Sequence, residues 1–160
     1  MVIKESEKSH TCYPRKLDCG YAIDLESSAT FVELPNGQTY RPNNWEYIYA
    51  NMAYNLNEQG FHVFLSSHKA VRDALCTEKF KDVRKVIICP SLDLKEKWID
   101  RLTYRYEAFG LVKDYKALMN AKTMYDENIA DLISESDRGF EVIEIKDTIY
   151  DLADIINSIA

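Results

Sequence analysis

Lys85-Val-Ile-Ile-Cys-Pro90 runs into Ser91-Leu-Asp-Leu-Lys-Glu-Lys-Trp-Ile-Asp-Arg-Leu-Thr-Tyr-Arg105, and the reading of this passage decides the fold. Val86 to Cys89 is an unbroken apolar run too short for a helix. It reads as a strand buried on both faces, as strands of parallel sheets are. Pro90 stops it, and Ser91 caps a helix whose Leu94, Trp98, Ile99 and Leu102 keep a 3.6-residue period. Asp93 and Glu96 in the first turn, and Arg101 and Arg105 late in the helix, suit its dipole. The two arginines are one turn apart, share a face and could grip one phosphate. A solvated basic face is the plainer alternative, and the residues alone leave both open.

Outward from this unit the same alternation repeats. Tyr21 to Leu25 reads as a short strand ending at Asp24. Residues 29–43 hold Pro35-Asn36-Gly37 and Pro42 and form a turn-rich connection with room for a small hairpin. Asn44 caps a helix to about Gln59, with Trp45, Ile48, Met52 and Leu56 on one stripe and Gly60 as its stop. Phe61 to Leu65 is a second buried-type strand, followed by a helix over 69–79. A long helix spans 113–135, with Tyr115, Leu118, Met119, Met124, Ile129, Leu132 and Ile133 as its buried positions. Phe140 to Ile145 is a last strand and Thr148 to Ile159 a last helix. Strands alternating with helices predict an α/β fold: a three-layer parallel sheet flanked by helices, with Val63–Leu65 and Val86–Cys89 as central neighbours.

Composition narrows the function classes. The chain has 160 residues, 46% hydrophobic and 29% charged, which suits one globular domain spanning 1–160. Residues 1–20 are irregular or rebuilt. The net charge of −6 argues against a protein that coats nucleic acid, which needs a basic stripe. No apolar run reaches transmembrane length and the polar N-terminus lacks a signal-peptide core, so no membrane partner and a cytoplasmic location are expected. Cys12, Cys19, Cys76 and Cys89 are scattered without metal-ligand spacing and read as reduced thiols. No metal ligands are assigned. Eleven tyrosines are an excess compatible with an interface or a core rim.

Three strands end in polar clusters: Asp24-Leu-Glu-Ser-Ser28, Ser66-Ser67-His68 and Pro90-Ser91. In a parallel sheet those ends lie along one edge, where α/β proteins place ligands. Asp24 can hold a magnesium-bound water or accept a hydroxyl proton. Ser66 and Ser67 suit phosphate, Arg72 can orient an anion, and Arg101 and Arg105 can close over it. Helix capping is the competing reading for each serine and aspartate.

Tyr21-Ala-Ile-Asp-Leu-Glu-Ser-Ser28, Val63-Phe-Leu-Ser-Ser-His68 with Val71-Arg72, and Val86-Ile-Ile-Cys-Pro90 with the helix ending Arg101…Arg105 resemble small P-loop kinases. These are the nucleoside and nucleotide kinase-like proteins common in phages and Gram-positive prophages. The similarity covers most of residues 20–157. It implies ATP and magnesium as cofactors, phosphoryl transfer, and lid arginines to which Arg101 and Arg105 would correspond. The departure lies at the N-terminus, where Gly-x-x-x-x-Gly-Lys-Ser/Thr should wrap phosphates in bare backbone. The nearest match is Lys8-Ser9, with Val2 and Glu7 at the glycine positions. Only Met1 precedes Val2, which leaves no room for a first strand.

Two readings follow. The first is a degenerate nucleotide-kinase-like protein that keeps a phosphate or nucleotide pocket near Lys8, Ser9, Asp24, Ser66, Ser67, Arg72, Arg101 and Arg105 but leans inactive as a phosphotransferase. The second is a phage-encoded interaction protein or inhibitor. Its acidic, tyrosine-rich surface would cover a basic groove on a host defence or nucleic-acid enzyme.

Overall fold

The computed structural model describes residues 2–4, 14–147 and 151–159, the first of these segments by its backbone alone. Strand β1 (Val2–Lys4) leads to β2 (Arg15–Leu17) and β3 (Gly20–Asp24), then to the short β4 (Val32–Glu33) and β5 (Thr39–Tyr40). Helix α1 (Trp45–Glu58), β6 (Phe61–Ser66), α2 (Lys69–Leu75) and β7 (Val86–Pro90) follow. The chain ends with α3 (Lys95–Phe109), α4 (Val112–Ser134), β8 (Glu141–Ile145) and α5 (Leu152–Ile159).

The main sheet has the order β2-β3-β6-β1-β7-β8. It is mixed, which corrects the expected three-layer parallel sheet of P-loop kinase type. Asp18 and Cys19 are the only residues between β2 and β3, and so short a link forces an antiparallel pair, Arg15 facing Ala22 and Leu17 facing Gly20. Strands β4 and β5 form a separate two-stranded antiparallel sheet around the turn that holds Gly37, whose φ of +79° is a backbone state glycine adopts freely. The helical layers are also unequal. Helices α1 to α4 all pack on the face that shows Val63, Leu65, Ile87 and Cys89. The alternate residues Phe64, Val86 and Ile88 meet α5 through Ile156, the one helix on that face among the described residues.

A second correction concerns the sheet centre. Val2-Ile-Lys4 forms the first strand that the sequence was read as having no room for. It lies between β6 and β7, parallel to both, with Ile3 opposite Leu65 on one side and Ile87 on the other. Val63–Leu65 and Val86–Cys89 are therefore not neighbours. Val2, taken above for a displaced phosphate-loop glycine, is ordinary strand. Residues 1–20 contain two strands of the sheet rather than only irregular chain. Lys8 and Ser9 lie outside the described residues.

Smaller shifts have local causes. Pro90 belongs to β7 rather than ending it, because β1 stops opposite Ile88 and only β8 continues alongside. Ser91 opens a 3₁₀ turn, Leu92–Leu94, before α3. Helix α2 ends at Leu75, short of residue 79. Helix α4 buries Leu118, Ala121, Tyr125, Ile129 and Leu132, so Tyr115, Met119 and Met124 face outward. Met124 has non-helical angles (φ −133°, ψ 15°) that kink the helix. Among the described residues no helix is long and apolar enough to cross a membrane.

Candidate functional site

A cleft of about 530 Å³ opens at the C-terminal ends of β3 and β6 and is walled on its far side by α3 and α4. Its floor is built by one side chain. Strands β3 and β6 run parallel as far as the bond from the Leu25 N–H to the Phe64 carbonyl, 3.0 Å, and then part. Tyr49 of α1 fills the gap. Its hydroxyl donates to the Leu25 carbonyl and accepts the Ser66 N–H at 3.2 Å. Tyr49 is fully buried, and burial pushes its phenol pKa up to about 12, with the Asp24 and Glu26 charges adding to the rise and the Ser66 N–H opposing it. The phenol is a structural hydrogen-bond bridge over the whole physiological range.

The near wall carries the polar residues singled out from sequence. Asp24, Ser66, Ser67 and Arg72 all line the cleft. The Ser66 hydroxyl is buried there beside the Tyr49 phenol, and with the Ser66 N–H it opposes the rise in that phenol's pKa. Arg72 is differently disposed from a free anion receptor. It is 3% exposed. Its Nε donates to Glu135 at 2.9 Å, one Nη to the Ser67 carbonyl at 2.6 Å, and the other to Asp131. Arg138 also reaches Glu135, at 3.0 Å, and Asp73, at 2.8 Å. This network ties α2 to the C-terminal end of α4 and fixes the Ser66-Ser67-His68 loop through its backbone.

Arg101 and Arg105 do not meet Arg72. Trp98 and Leu102 of α3 line the cleft, and the arginines, each three residues further on, sit on a flank of that helix outside it. The Arg101 guanidinium lies 5.7 Å from the Trp98 ring centre, and Arg105 binds the buried Asp114 at 2.9 Å. The expected convergence of three guanidiniums on one cavity is thus corrected: the face shared by Arg101 and Arg105 is not the face α3 turns to the cleft.

The far wall holds residues the sequence reading passed over. Lys116, Asn120, Asn128 and Asp131 project from α4, and the Asn128 carboxamide donates to Asn120 Oδ1 at 2.7 Å. No sequence signal set them apart: Lys116, Asn120 and Asp131 are exposed and Asn128 half-buried, so they read as the ordinary solvated side of an amphipathic helix. Trp98 and Tyr125 add aromatic surface, Lys116 adds positive charge, and Lys69 lines the cleft while paired with Asp73 at 3.1 Å. Tyr125 is anchored by donating to the Ser91 carbonyl at 2.9 Å. Among the described residues no group of three or more His, Cys, Asp or Glu is placed to hold a metal ion. Cys19, Cys76 and Cys89 are free thiols.

No family model matches the chain, and comparison with curated proteins and with solved structures returns no match.

Proposed function

We propose that the cleft binds a nucleotide, or a small molecule of the same chemistry, with its phosphate toward Lys116 and its ring against Trp98. The observation that carries this reading is the lining of the cleft, which sets the Trp98 and Tyr125 rings, the Lys116 ammonium and the Asn120 and Asn128 carboxamides around one opening. The surroundings support it. The cleft's position, at the carboxyl ends of parallel strands, is the usual one for ligands in α/β sheets. Its mix of apolar floor, ring surface and a few polar groups suits a base and sugar. Asn120 and Asn128 offer donors and acceptors of the kind that read a base edge.

The reading is of a binding protein with no commitment to phosphoryl transfer. Asp24 is a single carboxylate at the strand end. Magnesium needs only one or two carboxylates when phosphate supplies the rest, so Asp24 fits a water-bridged ion carried in with the ligand. Titration with nucleoside monophosphates, ATP–magnesium and inorganic phosphate, followed by the emission of Trp98 in a Trp45→Phe background, tests the reading. A saturable change that needs a higher ligand concentration in Lys116→Ala is expected, and no change with any ligand would contradict the reading.

A second reading, an interaction protein acting on a macromolecule, is favoured by apolar side chains left open on the β4–β5 sheet. Silence of the cleft toward every small molecule would move the assignment there.

A further inference from the structure

The three acceptors around Arg72 are not held alike. Its Nε donates to Glu135 at 2.9 Å, one Nη to the Ser67 carbonyl at 2.6 Å, and the other Nη to Asp131. The Arg72 and Glu135 side chains are 4% and 3% exposed, whereas that of Asp131 is 49% exposed. Arg72 and Asp131 both line the cleft, and Glu135 is not part of its lining. The guanidinium is therefore anchored from behind by Glu135 and the Ser67 carbonyl. Its remaining Nη is covered by a carboxylate that belongs to the cleft wall and stands half in water.

The anchor does not depend on Asp131. Glu135 is also held by Arg138 at 3.0 Å, Arg138 reaches Asp73 at 2.8 Å, and Asp73 takes Lys69 at 3.1 Å. Among the described residues this cluster sets three cations, Lys69, Arg72 and Arg138, against three carboxylates, Asp73, Asp131 and Glu135. Turning Asp131 into water leaves one positive charge uncovered, on a fixed guanidinium in the cleft wall. A half-exposed ion pair is weakly held. The Nη it uncovers is a charge-assisted donor, the kind that carboxylate and phosphate oxygens take.

We propose that Arg72 is an oxyanion seat at this end of the cleft, that Asp131 is the chain's own occupant of it, and that a phosphate or carboxylate group of a ligand exchanges with the Asp131 carboxylate. The seat is separate from the Lys116 end. Lys116 and Asp131 are fifteen positions apart on α4, about 22 Å at 1.5 Å per residue. A ligand with its phosphate at Lys116 therefore reaches Arg72 only through a second anionic group. The seat shares the cleft with the nucleotide reading and stands without it.

Thermal melts against inorganic phosphate and against acetate, at one ionic strength set with sodium chloride, test the seat. Asp131→Ala empties it. Asp131→Asn, which keeps the size and loses the charge, takes its place should the alanine variant fail to fold. For at least one of the two anions, the half-maximal rise in Tm should come at a concentration at least about tenfold lower than in the wild type. In the same variant the Arg72 Nε–H resonance should move as the anion is added, since the Glu135 bond keeps that hydrogen in place. Glu127→Gln removes an equal charge from an exposed position on the same helix, outside the cleft lining, and should respond as the wild type does. Lys116→Ala added to Asp131→Ala should leave the gain intact. The same substitution weakens a nucleotide bound with its phosphate at Lys116, so the two readings fail separately. No gain in the Asp131 variant, an equal gain in Glu127→Gln, an unmoved Arg72 signal, or a gain lost with Lys116 would each overturn the proposal.

Discussion

The Tyr49 hydroxyl accepts the Ser66 N–H at 3.2 Å and donates to the Leu25 carbonyl, so a single side chain closes the seam where β3 and β6 part. The cleft exists because that seam is held open at its upper end and sealed at its base. Tyr49→Phe keeps the ring and removes both bonds, leaving the buried Leu25 carbonyl and the half-buried Ser66 N–H without this partner. The expected loss is about 1–3 kcal/mol, which urea denaturation would resolve.

The same phenol gives a pH signature. Its folded pKa, about 12, lies above the ordinary value of 10.0. Between those limits the folded state holds the proton that the unfolded state has released. Stability from this group is therefore complete below pH 10 and is lost as pH rises toward 12, by roughly 2–3 kcal/mol in all. Wild type should show this alkaline decline in chemical denaturation, and Tyr49→Phe should show a smaller one. Equal slopes would mean that Tyr49 is not the group responsible.

Arg72 and its two carboxylates should respond unequally to substitution. Arg72→Met leaves Glu135, 2% exposed, with only Arg138, and frees the Ser67 carbonyl. Stripping one partner from a buried ion pair costs about 3–5 kcal/mol, and the remaining Arg138 contact places the expectation near the lower end. Asp131→Asn should cost under about 1 kcal/mol, because that side chain is half exposed. Thermal melts of both variants check the contrast, and similar losses would contradict the burial argument.

What the sequence disclosed, and what it hid, follows from how each element is encoded. Val86 to Cys89 and Phe61 to Leu65 are dense apolar runs, and a strand buried on both faces needs such runs, so both were legible. Strand β1 has three residues, Val2-Ile-Lys4, and its place at the sheet centre comes entirely from long-range pairing that no local pattern records. In α1 the fully buried residues are Tyr49, Ala50 and Ala53, not the stronger apolar stripe of Trp45, Ile48, Met52 and Leu56. Alanines mark close packing while contributing little to a hydrophobic period. Asp24, Ser66 and Ser67 line the cleft because they stand at or just after the ends of β3 and β6, and Arg72 joins them from α2. Arg101 and Arg105 were misplaced because shared helical phase says that two residues face one way, not which way.

Strand β1 carries its own prediction. The Ile3 backbone is flanked by β6 on one side and β7 on the other. Its amide should exchange with solvent only through global unfolding, on the scale of the most protected amides of β6 and β7. Removal of residues 1–4 should abolish the cooperative unfolding transition, since both neighbours would lose a central partner. Fast exchange at Ile3 would displace β1 from the sheet centre.

The proposed nucleotide site is the cleft between β3, β6 and α4. Isothermal titration calorimetry of the wild type with nucleoside monophosphates, ATP–magnesium and inorganic phosphate tests it, with Lys116→Ala and Asn120→Ala run in parallel. At least one nucleotide should bind at one site per chain, and each substitution should weaken it at least about tenfold, or about 1.4 kcal/mol. No heat with any ligand, or a nucleotide affinity that neither substitution changes, would remove the nucleotide from the cleft.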